Sequence, residues 1–436
     1  MTTSGRLCEI AITGLFGARS SEPLRIKLDP RRPTVLTGGN GTGKSTILRL
    51  VGAISALDIA TLREAPIQSI ALSFESIPTL RYSRSERGGT VTWGDKRHHI
   101  RLLEGIESLP MWALDALSGD TPAGDFTRRL RQYAQEQGVD PHEYRLVRDA
   151  LVGHPRTMDA PSPPWFSDFK EAFAVLHVTD QRLVVDADAD ARRYTSDRAR
   201  SSRRAVVAAS RDLASKMLEI DSAYARASQA RDRAFPREVI AAMAEHSNVT
   251  DTRLEELLQS VNSRRERLRQ VGLLDSDQTF EQLDFGLDRP EVRPVIATFL
   301  ESTLSKLTVL DELSHRLQTF KAFLDARFRT KRVELRRREG VRFIVDDSIE
   351  ITPEQLSSGE QQLFVLAYEV LFRAEMSTLL IVDEPEISLH VLWQDTLIDD
   401  LVELGEPSRV QFLMATHSPA LLASHPDLER SLDTKG

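Results

Sequence analysis

The run Gly38-Gly39-Asn40-Gly41-Thr42-Gly43-Lys44-Ser45 constrains this chain more than any other stretch. It fits G-x-x-x-x-G-K-[ST], the phosphate-binding loop. The motif needs one local setting, in which a strand delivers the chain to the loop and a helix leaves it. Thr34-Val35-Leu36-Thr37 reads as the strand, and Ile47, Leu48, Leu50, Val51 and Ile54 recur at helical spacing afterwards. The glycines supply positive φ angles that turn successive N–H groups inward as an anion nest. The helix adds the positive end of its dipole. In that setting Lys44 reaches the β- and γ-phosphates and Ser45 ligates Mg²⁺. Gly38 through Thr46 are therefore the candidate nucleotide-binding residues, and the chain is expected to be α/β around a sheet that carries the loop.

Composition bounds the rest. With 436 residues, 41% apolar and 28% charged, the chain holds one large domain or two to three ordinary ones. No apolar run approaches the roughly 18 residues needed to cross a bilayer. The first residues lack a secretory layout, so a cytoplasmic location without a membrane partner is expected. One cysteine, Cys8, excludes an internal disulfide and a cysteine zinc site. The net charge of −8 argues against a uniformly basic surface but leaves room for a local nucleic-acid groove.

Residues 7–13 and 24–28 alternate as strands, residues 68–103 as an antiparallel set, and Phe173 to Val178 as a buried strand. The middle is helical. Val206, Ala209, Leu213, Met217, Ile220 and Tyr224 step by threes and fours, as do Leu310, Leu313, Leu317, Phe320 and Leu324. Both sets fit a coiled-coil seam or ordinary bundle helices. Pro236 and the turn-rich stretch from Leu274 to Pro290 are expected to break the region. Strands return at 341–345, 349–351, 378–382 and 410–415. The expected organisation is an N-terminal half of a nucleotide-binding head over 1–185, a helical insertion over 186–339, and the C-terminal half over 340–436. The two ends should share one sheet.

A second constellation lies far along the chain. Leu379-Leu380-Ile381-Val382 ends in Asp383-Glu384, the layout of a Walker-B strand. Asp383 would hold Mg²⁺ through water, and Glu384 would polarise an attacking water. Leu356-Ser357-Ser358-Gly359-Glu360 stands 24 residues earlier, counted from Gly359 to Asp383, just before a helix. That string resembles the signature of ABC-type ATPases, with Ser358 in place of a glycine and Glu360 in place of glutamine. The resemblance implies that Ser357, Ser358 and Gly359 meet the γ-phosphate. It also implies that His417, in Ala415-Thr416-His417-Ser418-Pro419, is the switch histidine, and that Ile387-Ser388-Leu389-His390 is the D-loop. Gln181 matches the Q-loop glutamine, with Gln68 as the rival.

The gap narrows the resemblance. Leu356 follows Ser45 by 311 residues, far more than in transporter ATPases and similar to SMC, RecF and OLD-type ATPases. The run from Asp383 to Gln394 resembles bacterial ATPases of anti-phage operons, such as the Septu type, and Arg233-Ala234-Phe235-Pro236-Arg237 resembles a motif in their insert. Only 19 residues follow His417, so a nuclease or toxin effector is expected to be a separate partner. The resemblance implies an ABC-type ATPase head with a large helical, short coiled-coil insertion. It further implies ATP and Mg²⁺ as cofactors, hydrolysis to ADP and phosphate, and a homodimer with ATP at its interface. Arginines at 192, 193, 198, 200, 203 and 204, and the basic set Arg327, Arg329, Lys331, Arg332, Arg336, Arg337 and Arg338, offer sequence-tolerant DNA contact or solvated, carboxylate-paired faces. Two alternatives to a defence role stay open. One is a RecF-like repair ATPase; the other is a scaffold that binds ATP with little turnover.

Overall fold

The computed structural model describes residues 5–17, 22–85, 88–101, 132, 163–178, 198–244, 249–275 and 292–433. β1 (Leu7–Thr13) and β2 (Leu24–Lys27) pair antiparallel, and β3 (Thr34–Thr37) leads through the phosphate loop into α1 (Lys44–Ala56). α2 (Ile59–Glu64) precedes a meander of β4 (Ser69–Phe74), β5 (Leu80–Ser85), β6 (Gly88–Trp93) and β7 (Lys96–Arg101). α3 (Phe166–Ala172) and β8 (Val175–Val178) follow. The helical middle contains α4 (Arg198–Ala244), α5 (Asp251–Gln270), α6 (Arg293–Leu307) and α7 (Asp311–Arg327). Then come β9 (Lys331–Arg336), β10 (Gly340–Val345), β11 (Ile349–Ile351) and α8 (Ser358–Tyr368). The chain ends with β12 (Leu379–Asp383), α9 (Val391–Gln394), α10 (Leu397–Gly405), β13 (Gln411–Ala415), α11 (Pro419–Leu422) and β14 (Glu429–Ser431).

The two ends of the chain do share a sheet. Its order is β14-β3-β13-β12-β8, parallel throughout. An antiparallel sheet of order β2-β1-β4-β5-β6-β7 lies beside it, and a small third sheet runs β11-β10-β9. The buried Gln411 side chain joins the first two sheets. Its amide donates to Leu7 O at 2.8 Å and its oxygen accepts from Leu7 N at 3.0 Å. This is the ABC-type head architecture, with a helical insertion between its two halves.

Strand alternation decides which helix covers which face. Successive residues of a strand point to opposite sides. Leu36, Leu379, Ile381, Leu413 and Ala415 face a core that contains α1 (Ile47, Leu48, Val51) and the antiparallel sheet. Val35, Leu380, Val382, Phe412 and Met414 face the other core, with α8 (Leu363, Phe364), α4 and α7. The phosphate-loop helix and the signature helix thus pack on opposite faces of one sheet.

The insertion departs from expectation in two places, and one choice left open is decided. Pro236 lies inside α4, which continues to Ala244 without a break. A proline removes one backbone donor and crowds the preceding turn. Here packing of Phe235 against Phe299, with ring centroids 6.2 Å apart, and the Lys306–Asp232 ion pair hold that turn against α6. The two apolar seams meet the head, not an extended arm: Val206, Leu213, Met217, Leu317, Phe320 and Leu324 all lie in the core around α8. Residues 331–336, read as part of the helical segment, form β9, because Val333 and Leu335 point inward every second residue. Farther out, Leu254, Leu257, Val261, Ile296 and Leu300 make a separate small core between α5 and α6.

α8 is buried along its whole length from Gly359 to Tyr368 and runs into a π-helical turn over Glu369–Arg373. Burial pushes the Glu369 carboxyl up to about 7; Arg373 pulls it down and Asp212 pushes it up. Between about pH 4.5 and 7 the folded protein holds a proton that the unfolded chain has released, so folding weakens as pH rises through that window and stays weakened above it. Glu369→Gln removes the titration. The expected outcome is a gain of about 2–3 kcal/mol at pH 8 that vanishes near pH 4.5. Urea unfolding at both pH values checks it; a gain that does not depend on pH would contradict this origin.

Candidate functional site

The carboxyl ends of β3, β13 and β12 lie side by side, and each carries one part of the site. Ligands of parallel sheets gather at that edge. The loop after β3 adopts the positive φ angles expected of it, at Gly38 (141°), Gly41 (82°) and Gly43 (97°). Gly43 caps α1, and its carbonyl accepts from Ile47 N at 2.8 Å. Thr42 Oγ1 donates back to Gly39 O at 2.9 Å, which closes the loop. Lys44 is buried, and its Nζ donates to Gly38 O at 2.7 Å and Gly39 O at 3.1 Å. Desolvation lowers the Lys44 pKa; Glu384, Asp433, Asp383 and Glu386 oppose it. A lysine folded back onto the carbonyls of its own glycine loop, with carboxylates near enough to oppose its desolvation, fits a loop built for a polyphosphate. Asn40 and Ser45 are exposed and Thr46 is half-buried on the first turn.

Asp383 ends β12, and Glu384 turns the chain away with φ +46°. A left-handed glutamate is strained; its N–H donates to Ala415 O at 2.8 Å, which holds the turn. His417 follows β13, and its Nε2 lies 3.9 Å from Glu384 Oε1. Glu384 and His417 therefore meet, as the motif positions imply. Among the described residues no three His, Cys, Asp or Glu side chains form a metal cage. Ser45 lies in the first turn of α1 directly after the phosphate loop and Asp383 ends β12, so both stand at the carboxyl edge of the parallel sheet.

The signature residues are elsewhere. Ser357 caps α8 in a reciprocal box: its N and Oγ each donate to Glu360 Oε2 at 2.8 Å, and Glu360 N donates to Ser357 Oγ at 3.4 Å. Ser357 and Ser358 are exposed, while Gly359 and Glu360 are buried. Burial pushes the Glu360 carboxyl up, but Lys331, 2.5 Å away, and the Ser357 donors outweigh it and hold the group below its ordinary value. Gly359 has no room for a side chain: a Cβ there would lie 2.5 Å from Ser388 O. The signature thus rests on its own chain's D-loop, where Ser388 has φ +65°.

Gln181 lies outside the described residues. Gln68 donates its N–H to Thr13 O at 2.8 Å and packs its side chain on Gly14, within the antiparallel sheet. Of the first basic cluster, Arg192 and Arg193 lie outside the described residues. In the second, carboxylates engage Arg327 (Asp400), Lys331 (Glu360), Arg332 (Glu334), Arg336 (Glu334, Glu339, Glu350) and Arg337 (Asp221). That cluster is largely the paired face the sequence allowed for.

Several site residues are given no role by the motifs. Asp433 Oδ1 accepts from Gly39 N at 3.0 Å, bringing the end of the chain onto the phosphate loop. Phe16, 54% exposed and at φ +54°, leans over Gly43. Glu386 and Gln394 reach the switch loop: Glu386 Oε1 accepts from Thr416 Oγ1, and Gln394 Oε1 accepts from Ser418 Oγ at 2.9 Å. Glu386 had the nearest signal, standing two residues past Glu384; Asp433 had none.

Residues 184–423, more than half of the chain, match the family described as "AAA domain, putative AbiEii toxin, Type IV TA system". No curated protein matches. Among solved structures, the Smc head domain of Pyrococcus furiosus bound to the C-terminal domain of ScpA aligns at 13% identity and TM-score 0.42, over 96% of this chain and 91% of that one. The SMC head domain of Thermotoga maritima aligns at 12% identity and TM-score 0.37, over 98% and 94%. With a glycine-rich phosphate loop and the β12 carboxylates at one edge of a parallel sheet, the chain belongs to that AAA-domain family.

Proposed function

We propose that this chain is an ATP-hydrolysing switch that closes head-to-tail on a second copy and reports its state to a separate nuclease or toxin effector in bacterial anti-phage defence. One observation carries the composite site. α1 and α8 cover opposite faces of the same sheet, and the exposed Ser357, followed by the exposed Ser358, bonds to Glu360 of its own helix and not to the phosphate loop of its own chain. A second copy supplies the signature that each loop lacks. The effector reading draws on the Septu-like run from Asp383 to Gln394 and on the toxin named in the family description.

Bound ATP supplies the transferable phosphoryl group, and Mg²⁺ neutralises its charge. The chain's part is positioning. The glycine nest and Lys44 cradle the phosphates, and Ser45 with Asp383 would hold the ion. Glu384 holds a water and accepts its proton, and His417 donates to the terminal phosphate. Ser357 and the N-terminus of α8 reward closure only while that phosphate is present.

Mixing two inactive variants tests the arrangement. Lys44→Ala removes the loop's cation, and Ser357→Arg blocks the signature. Each alone should be inactive. Mixed one to one, half of the dimers pair unlike chains with one intact site each, so about a quarter of wild-type phosphate release should return. If each chain completes its own site, mixing restores nothing and the head-to-tail reading fails.

A further inference from the structure

We propose that Glu386 is a positioning residue that clamps the switch loop and so sets His417 against Glu384. The inference rests on the ATPase reading above and concerns a residue to which that reading gives no role.

Glu386 lies just past the turn at Glu384 and is only 9% exposed. One carboxylate oxygen gathers three donors from consecutive residues of the other strand's loop. Oε1 accepts from Thr416 Oγ1 at 2.6 Å, from His417 N at 3.0 Å and from Ser418 N at 3.2 Å. Hydrogen bonds to a charged acceptor are about twice as strong as neutral ones, and these converge on the backbone that carries the imidazole. Thr416 is 1% exposed, and its Oγ1 also accepts from Ser418 N at 2.9 Å, so the loop has little freedom once the carboxylate is in place.

The clamp spans the two loops whose side chains must meet. Glu384 fixes its end through N–H donation to Ala415 O. Glu386 fixes the other through His417 and Ser418. The separation of 3.9 Å between His417 Nε2 and Glu384 Oε1 is closed by a frame that holds both backbones. A second tie runs parallel: Gln394 accepts from Ser418 Oγ at 2.9 Å while its amide donates to Leu389 O at 3.1 Å. Glu386 needs no contact with the nucleotide to act; it works through His417.

Two substitutions of the full-length protein separate the clamp from general packing. Glu386→Gln keeps an oxygen that can accept the three donors, and Glu386→Ala removes it. Amide hydrogen exchange on the nucleotide-free protein should speed up about tenfold or more over residues 416–418 in Glu386→Ala. It should stay near wild type in Glu386→Gln, with the loop at 38–45 unchanged in both. In steady-state ATPase assays Glu386→Ala should lower kcat about 10- to 100-fold with KM nearly constant, and Glu386→Gln should recover most of it. Unchanged exchange over 416–418 in Glu386→Ala overturns the clamp, as does a loss of kcat that Gln fails to rescue. A wild-type protein that releases no phosphate would instead overturn the ATPase reading, and exchange alone would then judge the clamp.

Discussion

Glu384→Gln should bind ATP as the wild type does, lose turnover by about 10²- to 10⁴-fold, and accumulate as a dimer. The carboxylate stands at the end of β12 with a left-handed backbone, 3.9 Å from His417. Glutamine keeps the size and the hydrogen-bonding reach but cannot accept a proton. The cradle is separate from it: the glycines between Gly38 and Gly43 form the loop from β3 to α1, and Lys44 opens α1. Affinity should therefore survive while chemistry stops. Removing the Glu384 charge also takes a carboxylate away from the anionic phosphates, so ATP binding should be equal or tighter. Light scattering with ATP should show a lasting dimer, and with ADP a monomer. That trapped form is the one with which an effector should co-purify. Wild-type phosphate release in this variant would remove Glu384 from the proton-transfer role.

The readable parts of the site share one property: each motif is bound to a local structure that neighbouring residues also announce. The phosphate loop declares itself through a strand before and a helix after. Asp383 and Glu384 close an apolar run, and Ser357 begins a buried helix. Contacts between distant segments leave no such trace. Asp433 reaches Gly39 across 394 positions, through an edge strand, β14, whose sequence Glu-Arg-Ser has no strand character. Glu360, where the resemblance has a glutamine, pairs with the part-buried Lys331 29 positions away; the pairing is invisible without the fold. The heptad-like seams show the limit of periodicity. Spacing by threes and fours establishes that Leu213 or Phe320 is buried, and nothing in it tells a partner helix from the body of the head. Pro236 misled for the opposite reason, because a local rule was outweighed by packing against α6.

Gly359→Ala should nearly abolish turnover while leaving nucleotide affinity intact. The added Cβ would stand 2.5 Å from Ser388 O and 3.5 Å from Trp393 Cζ3. The near atom is backbone, so no rotamer change relieves the clash; either α8 or the D-loop must move. α8 is buried from Gly359 to Tyr368 against the core of the head, and Gln362 of the same helix donates to Pro385 O at 2.5 Å. The D-loop is the softer partner, since Ser388 already holds a left-handed φ of +65°. Its displacement would be felt at Pro385, Glu386 and the residues that carry Glu384. Overpacking of this kind costs about 1–3 kcal/mol of stability, and a misplacement near 1 Å at the reacting groups costs about 100-fold in rate. The phosphate loop lies across the sheet from α8 and should keep its affinity for ATP by calorimetry. A variant with wild-type turnover and melting temperature would show that α8 and the D-loop can separate without consequence, and would sever the signature from the chemistry it is proposed to control.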